Sequence, residues 1–544
     1  MQKVSHEHTM TNNDIVQKLW NLCDVLRDDG ISYSDYVTEL VFLLFIKMAH
    51  ENTAAGIIKE HPLPAGCRWE DIAGKSGISL LNDYKRILRC LSTGKNDDGE
   101  LAHEDPLIEA IYSNAQTRLS EPKRLEQIIK TLNQIDWSSA QKDGLGALYE
   151  GLLEKNASET KSGAGQYFTP RALINCIVRC IKPQVGEFIQ DPAAGTGGFL
   201  VSAEQYMRCN TDNYQRLTSK ALKFQRNIAF TGVELVPNTR RLALMNCLLH
   251  GMEGGNEGVV HLGNTLGEAG EALSPADVIL ANPPFGSSMR EDISNSRIFE
   301  HSTTNKQLAF LQHIYSNLKP GGRAAIVLPD NVLFEGGVGT LVRRDLMNKC
   351  NLHTILRLPT GIFYAHGIRT NVLFFTKGSA TDRYQEENCT QNVWVYDLRT
   401  NMPNFGKRTP FGDSTVGFAK KDFGKDPHLG AFEKVYGDNP NGISPRTESD
   451  CNLDVRVNVN KKATKENQSS DKRLVHSYWR SFTREWIRDI KNDSLDINWV
   501  KENENMDVAE QPEPEQLLSQ AKVELNIALN EINILMAVLE GAKI

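Results

Sequence analysis

The chain has 544 residues, 40% hydrophobic and 24% charged, with a formal net charge of −7. That length exceeds what one hydrophobic core usually supports, so two or three domains are expected. The acidic balance, without a strong basic stripe, excludes a protein that grips nucleic acid through its phosphates unaided; a partner would supply much of any such hold.

Residues 12 to about 155 read as mostly helical. Ile15, Leu19, Leu22 and Leu26 recur at spacings of four, three and four, which makes one helix face, and Val37, Leu40, Val41, Leu44 and Met48 repeat the pattern. This region is expected to be a helical packing domain without chemistry. Its apolar run Leu40–Ile46 is far too short to span a bilayer. With no basic-then-apolar signal pattern at the start, no membrane partner is expected, and ten cysteines scattered without paired spacings, Cys176 and Cys180 apart, make a reducing cytoplasm the expected compartment.

Next stands Gly165-Gln166-Tyr167-Phe168-Thr169-Pro170-Arg171. Thr169 as cap and Pro170 at the first helical position predict a helix start, and Leu173, Ile174, Ile177 and Val178 continue it. Cys176 and Cys180 have helical spacing and no second pair to complete a zinc site, so they read as packing.

A strand over Glu187–Gln190 ends in Asp191-Pro-Ala-Ala-Gly195-Thr196-Gly197-Gly198, and an apolar helix follows. Strand, glycine-rich turn and helix is the dinucleotide-type arrangement, in which small residues let a ligand approach the backbone. There is no phosphate-loop lysine. An aspartate at the strand end suits a ligand with an amino group and a sulfonium better than a pyrophosphate.

A second strand, Ile228–Leu235, ends at Glu234, where an acid typically accepts from ribose hydroxyls. The added distance from Gly198 reads as a polar insertion over about 210–226. A helix over Asn238–His250 follows, then Gly263-Asn264-Thr265-Leu266, another polar turn after a strand. The run Val278-Ile279-Leu280 leads into Asn282-Pro283-Pro284-Phe285. Two adjacent prolines donate no backbone hydrogen bonds and bias the preceding residues away from helix. The strand must therefore stop in a stiff turn that fixes a polar acceptor beside an aromatic plate, which suits a flat base.

Beyond it, 286–305 is a long polar segment of the kind that often has a function. Helix Gln307–Leu318, a Lys319-Pro-Gly-Gly322 turn, strand Arg323–Leu328, helix Thr340–Asn348 and strands Leu352–Leu358 and Thr370–Phe375 complete the alternation. The last two strands lie too close for a crossover helix and should pair antiparallel, giving a seven-stranded, doubly wound α/β sheet. Every polar motif falls just after a strand, at the edge where such folds bind ligands.

The expected division is a helical domain 1–155, a catalytic domain 156–400, a loop-rich extension and linker 401–512, and a terminal helix 513–544. Within the extension, Asn458–Arg473 is lysine-rich, and Trp479, Trp486 and Trp499 read as packing residues. In the terminal helix Leu518, Leu525, Ile532 and Leu539 recur every seven residues, a coiled-coil seam suited to docking against partner helices.

In this order, Gly165–Pro170, Asp191–Gly197, Gly263–Leu266 and Asn282–Phe285 resemble the modification (M) subunit of type I restriction–modification systems, nearest to the K-type enterobacterial branch. Pro329–Gly337 and Leu358–Phe363 share the likeness. Many members have Asp where this chain has Asn264. The resemblance implies a DNA adenine-N6 methyltransferase that uses S-adenosyl-L-methionine. By motif, Gln166, Tyr167, Phe168, Thr169, Pro170, Arg171, Asp191, Thr196, Gly197, Gly198, Glu234 and Asn264 would form the cofactor site. Asn282, Pro283, Pro284 and Phe285 would hold the adenine. The implied partners are double-stranded DNA, a specificity (S) subunit, a second M subunit flanking that same S subunit, and a restriction (R) subunit. Without a P-loop lysine motif, the chain itself is expected neither to translocate nor to cleave DNA. Two alternatives stay open on sequence alone: an N-methyltransferase of protein glutamine or RNA, and a non-catalytic assembly scaffold.

Overall fold

The computed structural model describes residues 12–27, 33–54, 61–135, 149–153, 169–285, 299–363, 368–400, 402–403, 405–406, 409–448 and 477–499. Residues 1–500 cluster as one compact unit and 501–544 as another. The second unit, with the terminal heptads, lies outside the described residues, as do Gln166, Tyr167, Phe168 and the lysine-rich Asn458–Arg473.

The sheet has nine strands among the described residues: β1 (Ile189–Asp191), β2 (Phe230–Glu234), β3 (Val260–Leu262), β4 (Ala276–Ala281), β5 (Leu318–Pro329), β6 (Cys350–Arg357), β7 (Thr370–Lys377), β8 (Asn392–Asp397) and β9 (Trp479–Thr483). Their order is β3-β2-β1-β4-β5-β7-β6-β8-β9. The first five pair parallel. As expected from the short connection, β6 and β7 pair antiparallel, and β7 inserts between β5 and β6.

The expectation of seven strands is corrected to nine. β8 runs parallel to β6 and β9 antiparallel to β8. β9 comes from the segment assigned to a loop-rich extension, more than eighty residues after its partner. So short a strand is specified mainly by cross-strand packing. Here Trp479 stacks on Trp394 with ring centroids 4.9 Å apart.

The Lys319–Gly322 turn is a second refinement. β4 pairs Ala276 with Leu318 and Val278 with Arg323, so the turn is looped out within β5 instead of preceding it. Gly321 takes a φ of 78° there, which a residue with a Cβ adopts only under strain.

β1, β4 and the inner part of β5 are buried on both faces, as parallel strands covered by helices must be. One apolar cluster runs from Ile15 through the sheet to Trp479. The N-terminal helices dock on helix Pro237–Leu249: Arg241 Nε donates to the Ile111 carbonyl at 2.7 Å, and the Tyr149 hydroxyl to the Leu242 carbonyl at 3.2 Å. Behind the sheet, the buried Arg179–Glu433 pair (2.7 Å) ties helix Arg171–Ile181 to helix Gly430–Tyr436. Arg179 Nη1 also donates to the Val416 and Gly417 carbonyls at 3.1 and 3.0 Å.

Candidate active site

The strand order reverses between β1 and its two neighbours, β2 and β4, which opens a crevice beyond their C-terminal ends. A cavity of about 360 Å3 lies there. Thr169, Arg171, Asp191, Thr196, Gly198 and Asn282 line it. Pro170, Gly197, Glu234, Asn264, Pro283, Pro284 and Phe285 are not among its lining residues.

The turn after β1 needs its glycines. Gly195 and Gly197 have φ of 54° and 81°, and Gly197 hands the chain to helix Gly198–Cys209. Gly232 of β2 has a related role: a Cβ there would lie 2.9 Å from the Ala194 Cβ, so its absence lets the turn sit close on β2.

Asp191 is 1% exposed, and its Oδ1 accepts from the Ala193 N–H at 3.0 Å. Burial, aided by the Glu234 charge, pushes its carboxyl up to about 8, against the opposing Ala193 hydrogen bond. Glu234 is engaged with backbone: Oε2 accepts from Gly195 N at 3.0 Å and Oε1 from Val236 N at 2.8 Å. Burial raises its pKa while those bonds lower it. Asn264 Oδ1 accepts from Leu266 N at 3.0 Å, closing its own turn.

The helix start differs from expectation. Pro170, not Thr169, occupies the cap position, with ψ of 133° and no side-chain cap, and the helix begins at Arg171. The Pro170 carbonyl accepts from Leu173 and Ile174, and the Thr169 hydroxyl has a partner elsewhere. That partner is Asn282, whose Nδ2 donates to Thr169 Oγ1 at 2.8 Å.

Asn282 follows β4 directly and is 7% exposed. Its Oδ1 is buried and accepts no hydrogen bond among the described residues. Pro283 is buried and Pro284 half-buried. Phe285 is half-buried and meets Phe363 edge-on at 5.4 Å.

Several wall residues were not singled out in the sequence. Asn246 donates through Nδ2 to the Thr196 carbonyl at 3.0 Å, while its buried Oδ1 has no partner among the described residues. The signal available was one amide interrupting an apolar helix. Glu150 comes from the region read as packing alone. It forms an ion pair with Arg171, whose Nη1 donates to the Gly198 carbonyl at 3.2 Å. Burial pushes that guanidinium down to about 9, still cationic at neutral pH. Burial also pushes His250, 3.9 Å from Glu150, down to about 4, so it is neutral there. Ser414, Val416, Gly417 and Phe418 close another side.

Residues 140–467 match the family described as N-6 DNA Methylase, and 15–132 match the HsdM N-terminal domain. The chain belongs to this family, as a type I restriction enzyme methylase subunit. It is 50% identical over 533 residues to the EcoKI methylase subunit of Escherichia coli K12, spanning 97% of this chain and 95% of that protein. To the EcoEI methylase subunit of Escherichia coli it is 34% identical, over 72% of this chain and 79% of the other. Among solved structures, the EcoKI M protein superposes with a TM-score of 0.56 at 47% identity, covering 97% and 96% of the two chains. A chain from a type I system described for its complex assembly and conformational transition gives 0.63 at 25%, covering 98% and 100%. The methylase subunit is therefore an adenine-N6 DNA methyltransferase, and the glutamine, RNA and scaffold readings fall away. No helix among the described residues is long and apolar enough to cross a membrane.

Proposed function

We propose that this subunit transfers a methyl group from S-adenosyl-L-methionine to N6 of an adenine flipped out of double-stranded DNA, the crevice serving as the shared site. The observation that supports this most is Asn282, which lines the same cavity as the buried Asp191 and whose buried Oδ1 accepts no hydrogen bond among the described residues. Unsatisfied buried acceptors are uncommon in folded proteins and call for an explanation. A donor arriving with the substrate provides one.

The residues present fit the cofactor. The glycine turn admits close approach, Asp191 offers a buried carboxylate to an ammonium or sulfonium, and Asn246 Oδ1 is a further acceptor with no partner among the described residues. Arg171, which lines the cavity while ion-paired with Glu150, would add a cation near a carboxylate, and Glu234 would accept from ribose hydroxyls. When bound, the cofactor supplies an electrophilic methyl on a positively charged sulfur.

This chain's own part in the chemistry is to present acceptors. The adenine exocyclic lone pair is delocalised into the ring, so the amine is a poor nucleophile. Accepting from its two N–H groups, through Asn282 Oδ1 and the Pro283 carbonyl, pyramidalises N6 and localises that pair. So held, N6 would take up the methyl that the cofactor supplies, and the proton it then sheds would pass to water, so no strong base is required. Positioning and fixed dipoles provide the main rate terms.

An adenine inside a duplex is out of reach, so it must be extruded. Phe285 would hold it by stacking, worth about 1–3 kcal/mol per base. Phe285→Ala is therefore expected to weaken binding of DNA containing the target by about tenfold or more and to slow transfer, with cofactor affinity unchanged. An equilibrium titration on the same duplex checks this.

Sequence choice is assigned to a specificity subunit flanked by two M subunits, with a restriction subunit joining; the net charge of −7 suits a chain whose grip on DNA is shared. Mapping N6-methyladenine in DNA from cells with and without the gene tests the whole reading. One methylated motif should vanish with the gene, and an unchanged map would refute the proposal.

A further inference from the structure

The turn Asn282–Phe285 cannot hold itself. Its two prolines have no N–H to donate, so its geometry must be imposed from outside, and two buried side chains do so. Thr169, 6% exposed, accepts from Asn282 Nδ2 at 2.8 Å. Gln307, 5% exposed, stands in the first turn of helix Lys306–Ser316 and donates through Nε2 to the Pro284 carbonyl at 3.0 Å.

Gln307 is itself anchored. Asn305 caps the same helix, accepting from the Gln307 and Leu308 N–H groups at 2.9 and 3.3 Å. Asn305 Nδ2 in turn donates to Glu335 Oε2 at 2.6 Å, in the loop region that follows β5. The brace thus runs from Glu335, which ends the short helix Asn331–Phe334 after β5, through a helix start, to the turn that ends β4.

We propose that Thr169 and Gln307 are positioning residues for methyl transfer: together they hold the turn so that Asn282 Oδ1 and the Pro283 carbonyl are the two acceptors left for the adenine amine. This rests on the adenine-clamp reading above and moves Thr169 from the cofactor set to the clamp. Gln307, which no sequence motif singled out, joins it.

The two braces act differently. The Gln307 bond occupies one lone pair of the Pro284 oxygen and ties that carbonyl to helix Lys306–Ser316, which makes it a poorer acceptor for the amine. A hydroxyl can pair with either end of an amide. Thr169 therefore fixes the plane of the Asn282 amide, and the sense is set by the adenine, whose two N–H groups need an acceptor and would clash with Nδ2. No hydrogen bond to the Pro283 carbonyl forms among the described residues. Two acceptors at fixed positions match two N–H donors. A freely rotating amide, or a third exposed carbonyl, would spread the amine over unproductive poses, and a displacement near 1 Å can cost about a hundredfold in rate.

The test uses the full chain in its methylase complex, with single-turnover transfer, cofactor titration and 2-aminopurine fluorescence at the target base. Thr169→Val keeps the shape and removes the hydroxyl. It is expected to slow transfer about ten- to a hundredfold, with cofactor Kd and 2-aminopurine signal within about threefold of the unsubstituted enzyme. Thr169→Ser should restore the rate to within about threefold. Gln307→Met keeps the side-chain length, removes the amide with its donor, and should slow transfer about tenfold with the same unchanged binding.

If Thr169→Val instead weakens cofactor binding and leaves the saturated rate intact, Thr169 is a cofactor ligand and its positioning role is overturned. A Gln307→Met enzyme with the unsubstituted rate overturns the brace whether or not Thr169→Val folds. Full activity in Asn282→Ala would instead remove the clamp reading, so the two failures are separable.

Discussion

Asn282→Ala is expected to lower single-turnover methyl transfer by at least about 10^2–10^3-fold while changing cofactor Kd by less than about threefold. The magnitude follows from removing one preorganised polar group aimed at the reacting centre. The selectivity follows from position: Asn282 lies at the end of β4, whereas the glycine turn and Asp191 lie at the end of β1. Its buried, unpaired Oδ1 also makes a prediction about stability. Such an acceptor costs the free protein about 1–3 kcal/mol, so the variant should lose activity without losing thermal stability, the trade-off expected of a polar group kept for function. A proportional loss of cofactor affinity would place the acceptor in the wrong site.

The second large effect concerns Asp191. Its carboxyl titrates at about 8 in the fold, against about 3.9 in an unfolded chain. Between those values the folded protein holds a proton that the unfolded chain has released, so this group's contribution to stability falls as pH rises from about 4 to 8. A cation placed beside it favours the ionised form. Cofactor affinity should therefore rise with pH by up to about tenfold per unit below 8 and then flatten. Asp191→Asn removes that dependence and should weaken binding by about a hundredfold at pH 8, with a smaller gap at pH 6. The cofactor's own α-amine also titrates near about 8. It does so with both proteins, which makes the difference between the two profiles the decisive quantity. Equal slopes for Asp191→Asn and the unsubstituted enzyme would eliminate the assignment.

Much of this site was legible in the order of residues, because each motif combines a local conformational demand with a chemical group. Gly195 and Gly197 take left-handed backbone at the turn where the sequence placed close ligand approach. The prolines end β4 directly after Ala281, leaving Asn282 at the crevice. The antiparallel pairing of β6 and β7 followed from a connection too short for a crossover.

The misses share one physical cause, distance along the chain. Thr169 read as a helix cap, since a threonine before proline satisfies the local rule. Its hydroxyl pairs instead with a residue 113 positions away. Glu150 read as part of a packing domain because nothing near it in sequence marks a cavity; the docking of Tyr149 on helix Pro237–Leu249 puts it there. β8 and β9 were overlooked because short strands are stabilised across the sheet more than along the chain.

The sequence by itself determined the alternation of strands and helices, the sites where each strand stops and the chemical groups offered there, since backbone restriction by proline, freedom at glycine and apolar periodicity act over a few residues. Only the tertiary structure decided which of those groups meet, which are already satisfied and which remain free. That depends on burial and on partners brought from far along the chain. The proposed clamp draws on both: Asn282 and its prolines were evident in the sequence, but only the structure shows Thr169 and Gln307 bonded to that turn and the Asn282 Oδ1 buried without a partner among the described residues.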